Sequence, residues 1–155
     1  MLNIQTGINN EVLRTVSEAV KKNEMKDVLK TGKEMLKYIK NPENGWVGLA
    51  APQIGLNKRM IVVSLLKDRE DENFKTVLMI NPEILSHTEN KDVEQEGCLS
   101  VPGAKWNVER YVGIKLRYTD EKSKENTLNL TGLSARIVQH EIDHLDGELF
   151  TDKLV

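Results

Sequence analysis

At 155 residues the chain is most simply read as one domain, residues 1–155, long enough to bury a sizeable core. Its 22 basic and 24 acidic residues leave a net charge of -2, which provides no electrostatic case for a DNA or RNA partner. One cysteine excludes an internal disulfide, and with no long apolar span and no signal peptide the sequence reads as a soluble protein without a membrane partner.

The first organised segment is a helix over 24–40. Lys21, Lys22 and the lysines from Lys26 to Lys40 form a basic run, but Glu24, Asp27 and Glu34 interrupt it. Met25, Val28, Leu29, Leu36 and Ile39 recur at helical spacing, so the lysines read as the solvated face of an amphipathic helix. The helix ends before Asn41-Pro42, because a proline disfavours helix at the residue before it. Residues 45–53 read as a loop or short edge segment. Strand-like runs follow at 59–66 and 76–85, the second broken by Asn81-Pro82, and 93–96 leads into a turn around Cys98. Over 112–118, Val112, Ile114, Leu116 and Tyr118 alternate with Gly113, Lys115 and Arg117, which is strand periodicity. A short strand at 127–130 precedes a last helix. Thr131 and Ser134 offer its start and Gly147 its stop, with Leu133, Ile137, Val138, Ile142 and Leu145 as its buried stripe. The class is α+β.

That last helix carries Gln139-His140-Glu141-Ile142-Asp143-His144. His140 and His144, four residues apart, stack on one helix face and can reach one cation, and Glu141 beside them can take a proton from a water. A catalytic zinc-like site needs a third protein ligand and one open position. Phe150 stands where a metzincin would carry its last histidine. Asp146, Glu148 and Asp152 lie just past the helix stop and read as exposed charge. The third ligand therefore comes from upstream, where the candidates are Cys98 and His87. Cys98 sits in Glu96-Gly97-Cys98-Leu99-Ser100-Val101-Pro102-Gly103, a punctuated turn able to aim a thiolate. His87, between Ser86 and Thr88-Glu89-Asn90, reads better as a solvated surface residue.

Gly48-Leu49-Ala50-Ala51-Pro52-Gln53, Glu96-Gly97-Cys98-Leu99-Ser100 and Gln139-His140-Glu141-Ile142-Asp143-His144 together resemble the three motifs of peptide deformylases, in the family's order and at similar spacing. Asn81-Pro82, Val108-Glu109-Arg110 and Gly132-Leu133-Ser134-Ala135-Arg136 add smaller matches. Residues 1–44 resemble the family only loosely, mainly through Val12-Leu13-Arg14. The resemblance implies small mixed or antiparallel sheets around a central metal-binding helix. It implies a cytoplasmic enzyme that removes the formyl group from N-formylmethionyl nascent peptides and releases formate, with transient ribosome contact as a family-level expectation. Cys98, His140 and His144 would hold one divalent metal per chain, Fe²⁺ in cells by family analogy, whereas spacing alone favours Zn²⁺, since Cys and His suit both ions, with Ni²⁺ or Co²⁺ as further alternatives. A water on that metal would be the nucleophile, Glu141 the general acid/base, and the Gln53 side chain and the Leu99 backbone N–H the oxyanion donors. Val47, Gly48, Gly97, Leu133 and Ile137 would line the substrate pocket, and Arg110 would either orient loop groups through a salt bridge or lie on the surface.

Three departures from the family pattern stand out. Trp46 occupies the place of the first motif's usual first glycine, with Gly45 one residue earlier, and Lys105-Trp106 stand where the family commonly has Arg-Gly. The chain also stops soon after Gly147-Glu148-Leu149-Phe150, so the C-terminal helix of many bacterial members is expected to be absent. Trp46 is expected to turn outward and pack on the surface, the alternative being that it enters the cleft and narrows it or offers an aromatic face. Two rival functions are a small metallopeptidase, which the upstream motifs disfavour, and a non-catalytic binder of nascent chains or ribosomes, which a loss at Glu141, Cys98 or Gln53 would have signalled.

Overall fold

A computed structural model describes residues 2–155. Three helices, α1 (Glu11–Arg14), α2 (Met25–Lys40) and α3 (Gly132–Leu145), accompany seven strands. These are β1 (Gly48–Ala50), β2 (Met60–Leu65), β3 (Lys75–His87), β4 (Lys91–Cys98), β5 (Val101–Tyr111), β6 (Gly113–Thr119) and β7 (Glu125–Thr131). Five strands form one sheet in the order β1-β2-β3-β6-β7, and β4 and β5 form a separate two-stranded ribbon. Every ladder in both is antiparallel, so the mixed alternative does not occur among the named strands.

The sheet, rather than a helix, lies in the middle. On β2, Met60 and Val62 pack toward α2 with Val28, Met35, Ile39, Leu49, Leu78 and Ile80. Ile61 and Val63 pack the other way, toward Ala135, Val138, Ile142 and Leu145 of α3. Successive strand residues point to opposite faces, and both faces of β2 are covered, which is why its sequence is almost continuously apolar. α3 is thus held against one face of the five-stranded sheet, with the ribbon on its other side: Arg136 donates to the Val108 carbonyl (3.0 Å), and the Gln139 amide clamps the backbone of Tyr111 (2.9 and 3.2 Å). Eleven of its fourteen residues are buried.

Two readings are corrected and one short helix is added to them. β3 runs through Asn81-Pro82 instead of breaking there, with register shifts between Ile80 and Glu83 and between Ile84 and Ser86. Asn81 adopts a left-handed φ of 51°, which asparagine tolerates, and its side chain bonds both the N–H and the carbonyl of Val20 (2.8 and 3.0 Å). Pro82, with no N–H to give, sits in the irregularity this creates. Cys98 does lie beside a tight turn, but the turn opens into the long strand β5. Its inward face is Ala104, Val108 and the polar Arg110, so apolar alternation never showed. α1, only four residues long, went unread; Asn10 caps it by accepting from the N–H of Val12 and of Leu13.

Candidate active site

Three elements converge. α3 presents His140, Glu141 and His144 on its buried side. The turn from β4 to β5 presents Cys98, whose Sγ lies 3.4 Å from His144 Nε2. After β1, a 3-10 turn over Ala51–Ile54 delivers Gln53, whose Oε1 accepts from the Ala50 N–H at 2.9 Å. That bond turns its amide nitrogen inward, 3.5 Å from Cys98 Sγ and 3.1 Å from Ser100 Oγ. One donor atom each of Cys98, His140 and His144 lies within 4.8 Å of the others, and all three residues are buried. A soft thiol and two imidazoles suit a divalent ion of the zinc or iron type, with a position left for water. The buried Glu141 Oε1 has no hydrogen-bond partner among the described residues and lies 4.0 Å from His144 Nε2, as a proton acceptor facing such a site would.

An ionic network holds this arrangement. His140 engages Glu96 Oε1 through Nδ1 at 2.8 Å, leaving Nε2 for the cluster, the arrangement in which a carboxylate orients a ligating imidazole. Glu96 also receives two bonds from Arg110 (2.8 Å each) and one from Arg136 (2.6 Å), and Arg110 reaches on to Asp143 at 2.6 Å. Burial works against charge on Glu96, but Arg110 and His140 outweigh it and hold the carboxyl well below the usual carboxylate range. Burial pulls His140 down too, yet Cys98 and Glu96 beside it raise it well above an ordinary imidazole. His144 is pushed well below by burial and then by His140 and Arg110. Glu141 is lifted to about 7, chiefly by burial, near the value a general base needs at neutral pH.

These groups line a cleft of about 550 Å³ whose wall includes Gln53, Cys98, Leu99, His140 and Glu141, and also Val47, Gly48, Gly97, Leu133 and Ile137. Gly48 has a further reason to be glycine: a Cβ there would stand 2.5 Å from Glu141 Oε2. His87 is exposed, stacked on Tyr111 with ring centroids 3.6 Å apart, and outside the cluster. Asp146, Glu148 and Asp152 pair with Arg59, Lys153 and Arg14. Arg110 is buried, not a surface residue. Trp46, expected to turn outward, instead lines the cleft. Sequence reasoning missed Glu96, Arg136 and Gln139 as functional supports, although each lies within or beside a quoted motif; buried charge is not visible in a local pattern.

A buried thiol, two imidazoles and a carboxylate around one cleft are the equipment of a metal-dependent hydrolase. Comparison with known proteins sharpens that class. The family model described as polypeptide deformylase matches residues 1–155. A peptide deformylase of Prochlorococcus marinus (strain NATL1A) is 43% identical over 148 residues, covering 95% of this chain and 70% of the relative. Among solved structures, the chain is similar to the peptide deformylase from Thermotoga maritima, with a TM-score of 0.87 and 34% identity over 100% of this chain and 98% of that one. It is similar also to a class I type b peptide deformylase from Acinetobacter baumannii solved with Met-Ala-Ser bound, with a TM-score of 0.88 and 32% identity over 99% and 98%. The chain belongs to the polypeptide deformylase family, whose members are metallohydrolases.

Proposed function

We propose that residues 1–155 act as a single catalytic domain that hydrolyses the formamide of N-formylmethionyl nascent peptides, giving formate and a free amino terminus. The observation that carries this is the cluster of Cys98, His140 and His144 beside a cleft lined by Cys98, His140, Glu141 and Gln53, whose amide turns inward. His140 and His144, on the helix that carries the His-Glu-x-x-His motif, together with Cys98 at the end of β4, would hold one divalent metal, Fe²⁺ in cells with Zn²⁺ as an alternative. Bound there, the ion supplies Lewis-acid activation of water.

The protein's own groups do the rest. Glu141 accepts the water's proton at its unpartnered Oε1 and returns it to the leaving amine. Burial and the contact with Gly48 keep that carboxylate in one place. The Gln53 amide and the Leu99 backbone N–H donate to the formyl oxygen as it gains charge. Glu96, fixed by two arginines, orients His140. Val47, Leu133 and Ile137 take the methionine side chain, and Gly48 and Gly97 let the peptide backbone lie close to the cleft walls.

The test is formate release from formyl-Met peptides by protein purified without oxygen, with metal content measured on the same sample. Stoichiometric metal and rapid formate release are expected, with metal retention lost on dialysis of Cys98→Ala. Cleavage of internal peptide bonds without formate release would replace this reading by a metallopeptidase.

A further inference from the structure

Trp46 belongs to the loop that leads into β1, and its neighbours Gly45 and Val47 are exposed, so it stands at the mouth of the cleft. It is not free to wave there. One side of the indole packs on the apolar cluster between α2 and the sheet. The far edge points toward the opposite wall: its Cη2 lies 3.9 Å from where a Cβ on Gly97 would stand, so a side chain on Gly97 would touch the indole. The indole therefore extends from the β1 side of the cleft toward Gly97 on β4, which lines the same cleft. Gly45, Trp46, Val47 and Arg69 also line a second groove of about 970 Å³, so Trp46 forms the ridge between the catalytic cleft and that groove.

A peptide whose first residue sits at the Cys98-His140-His144 cluster has to leave the cleft past this ridge. On that reading Leu133 and Ile137, which line the same cleft from α3, take the first side chain. The next side chain meets the indole. A tryptophan face gives dispersion and hydrophobic contact to an apolar or aromatic group and nothing comparable to a hydrogen atom. We propose that Trp46 is a specificity-determining residue that forms an aromatic subsite for the residue immediately following the methionine, favouring apolar and aromatic side chains there over glycine. The inference rests on the reading that the cleft takes formylmethionyl peptides.

Two measurements test it. In the first, kcat/KM is determined for formyl-Met-Leu-Ser, formyl-Met-Phe-Ser and formyl-Met-Gly-Ser with the wild type, Trp46→Phe and Trp46→Gly. The wild type is expected to prefer the leucine and phenylalanine peptides by roughly three- to tenfold, the scale of one aromatic contact. Trp46→Phe should keep most of that preference, and Trp46→Gly should lose it through a higher KM for the apolar peptides. The same preference ratio in wild type and Trp46→Gly would overturn the proposal while leaving the reaction assignment intact. The second measurement does not depend on turnover or on the glycine variant folding. The chain has two tryptophans, so Trp106→Phe leaves Trp46 as the only indole emitter. Titration with Met-Leu-Ser and Met-Gly-Ser, followed by emission and in parallel by calorimetry, should show tighter binding of the leucine peptide with a shift in Trp46 emission. That result supports the subsite even if no formate is released, in which case the reaction assignment alone falls. Equal affinities with unchanged emission would overturn the subsite.

Discussion

At the scale of single residues, Glu141 is separated from its neighbours by role. His140 and His144 flank it on α3 and approach Cys98, whereas Glu141 keeps a buried oxygen without a partner. Glu141→Ala is therefore expected to retain metal and to lose activity by roughly 10²–10⁴-fold, the range for a lost general acid/base. Near-full turnover in a variant with normal metal content would remove Glu141 from that role. Gly48 gives a sharper test of placement. In Gly48→Ala the new Cβ would stand 2.5 Å from Glu141 Oε2 and 3.0 Å from its Cδ and Cγ, so the Glu141 side chain, and not backbone, has to shift. Stability should change little while kcat falls by about 10²-fold, the effect of a misplacement on the order of 1 Å. Thermal denaturation and steady-state kinetics on the same preparation would check both halves.

At the scale of elements, the site is an assembly of pieces that do not touch in sequence. β4 supplies Glu96 and Cys98, β5 supplies Arg110, and α3 supplies Arg136, His140 and Asp143. Arg110 ties all three together while 4% exposed. Removing one partner from a buried charge network leaves the others uncompensated, so Arg110→Ala is expected to destabilise by about 3–5 kcal/mol. Urea denaturation would measure this, and a loss below about 1 kcal/mol would mean that water takes over the role of Arg110. The two-stranded ribbon explains why the segment after Cys98 did not read as a strand. One of its inward positions is this arginine, and pattern reading counts an arginine as outward.

At the scale of the molecule, the amino-terminal segment is fastened to the carboxy-terminal one around the end of α3. Gly147 has a φ of 75°, and a Cβ there would lie 2.5 Å from the Arg14 carbonyl oxygen. Gly147→Ala combines left-handed strain with a clash against backbone and should lower stability by roughly 2–4 kcal/mol, read as a fall in Tm. Next to it, Arg14 grips Asp152 with bonds of 2.6 and 3.1 Å. The Arg14 guanidinium holds the Asp152 carboxyl below its ordinary value, and burial opposes this only in part. A carboxyl lowered in the folded state contributes stability that is present above the unfolded value and is lost as pH falls through the folded one. Asp152→Asn should thus be less stable than wild type at neutral pH, by about 1 kcal/mol or less for so exposed a pair. The gap should close on the acid side of the ordinary aspartate range, and a gap that persisted there would assign the effect to packing.

What the sequence determined by itself was local. The helix over 24–40, the strands at 59–66 and 112–118 and the helix bearing His140, Glu141 and His144 follow from periodicity and end signals that lie within a few residues of one another. The three motifs carried the family for the same reason, since each keeps its chemistry in a short run. Only the tertiary structure decided that Gly48 makes room for Glu141 and that Trp46 turns into the cleft. It alone brought Glu96 to His140 across 44 positions of chain. Those outcomes depend on which faces the sheet and the ribbon bury against α3, and burial between distant segments leaves no trace in the spacing of near neighbours.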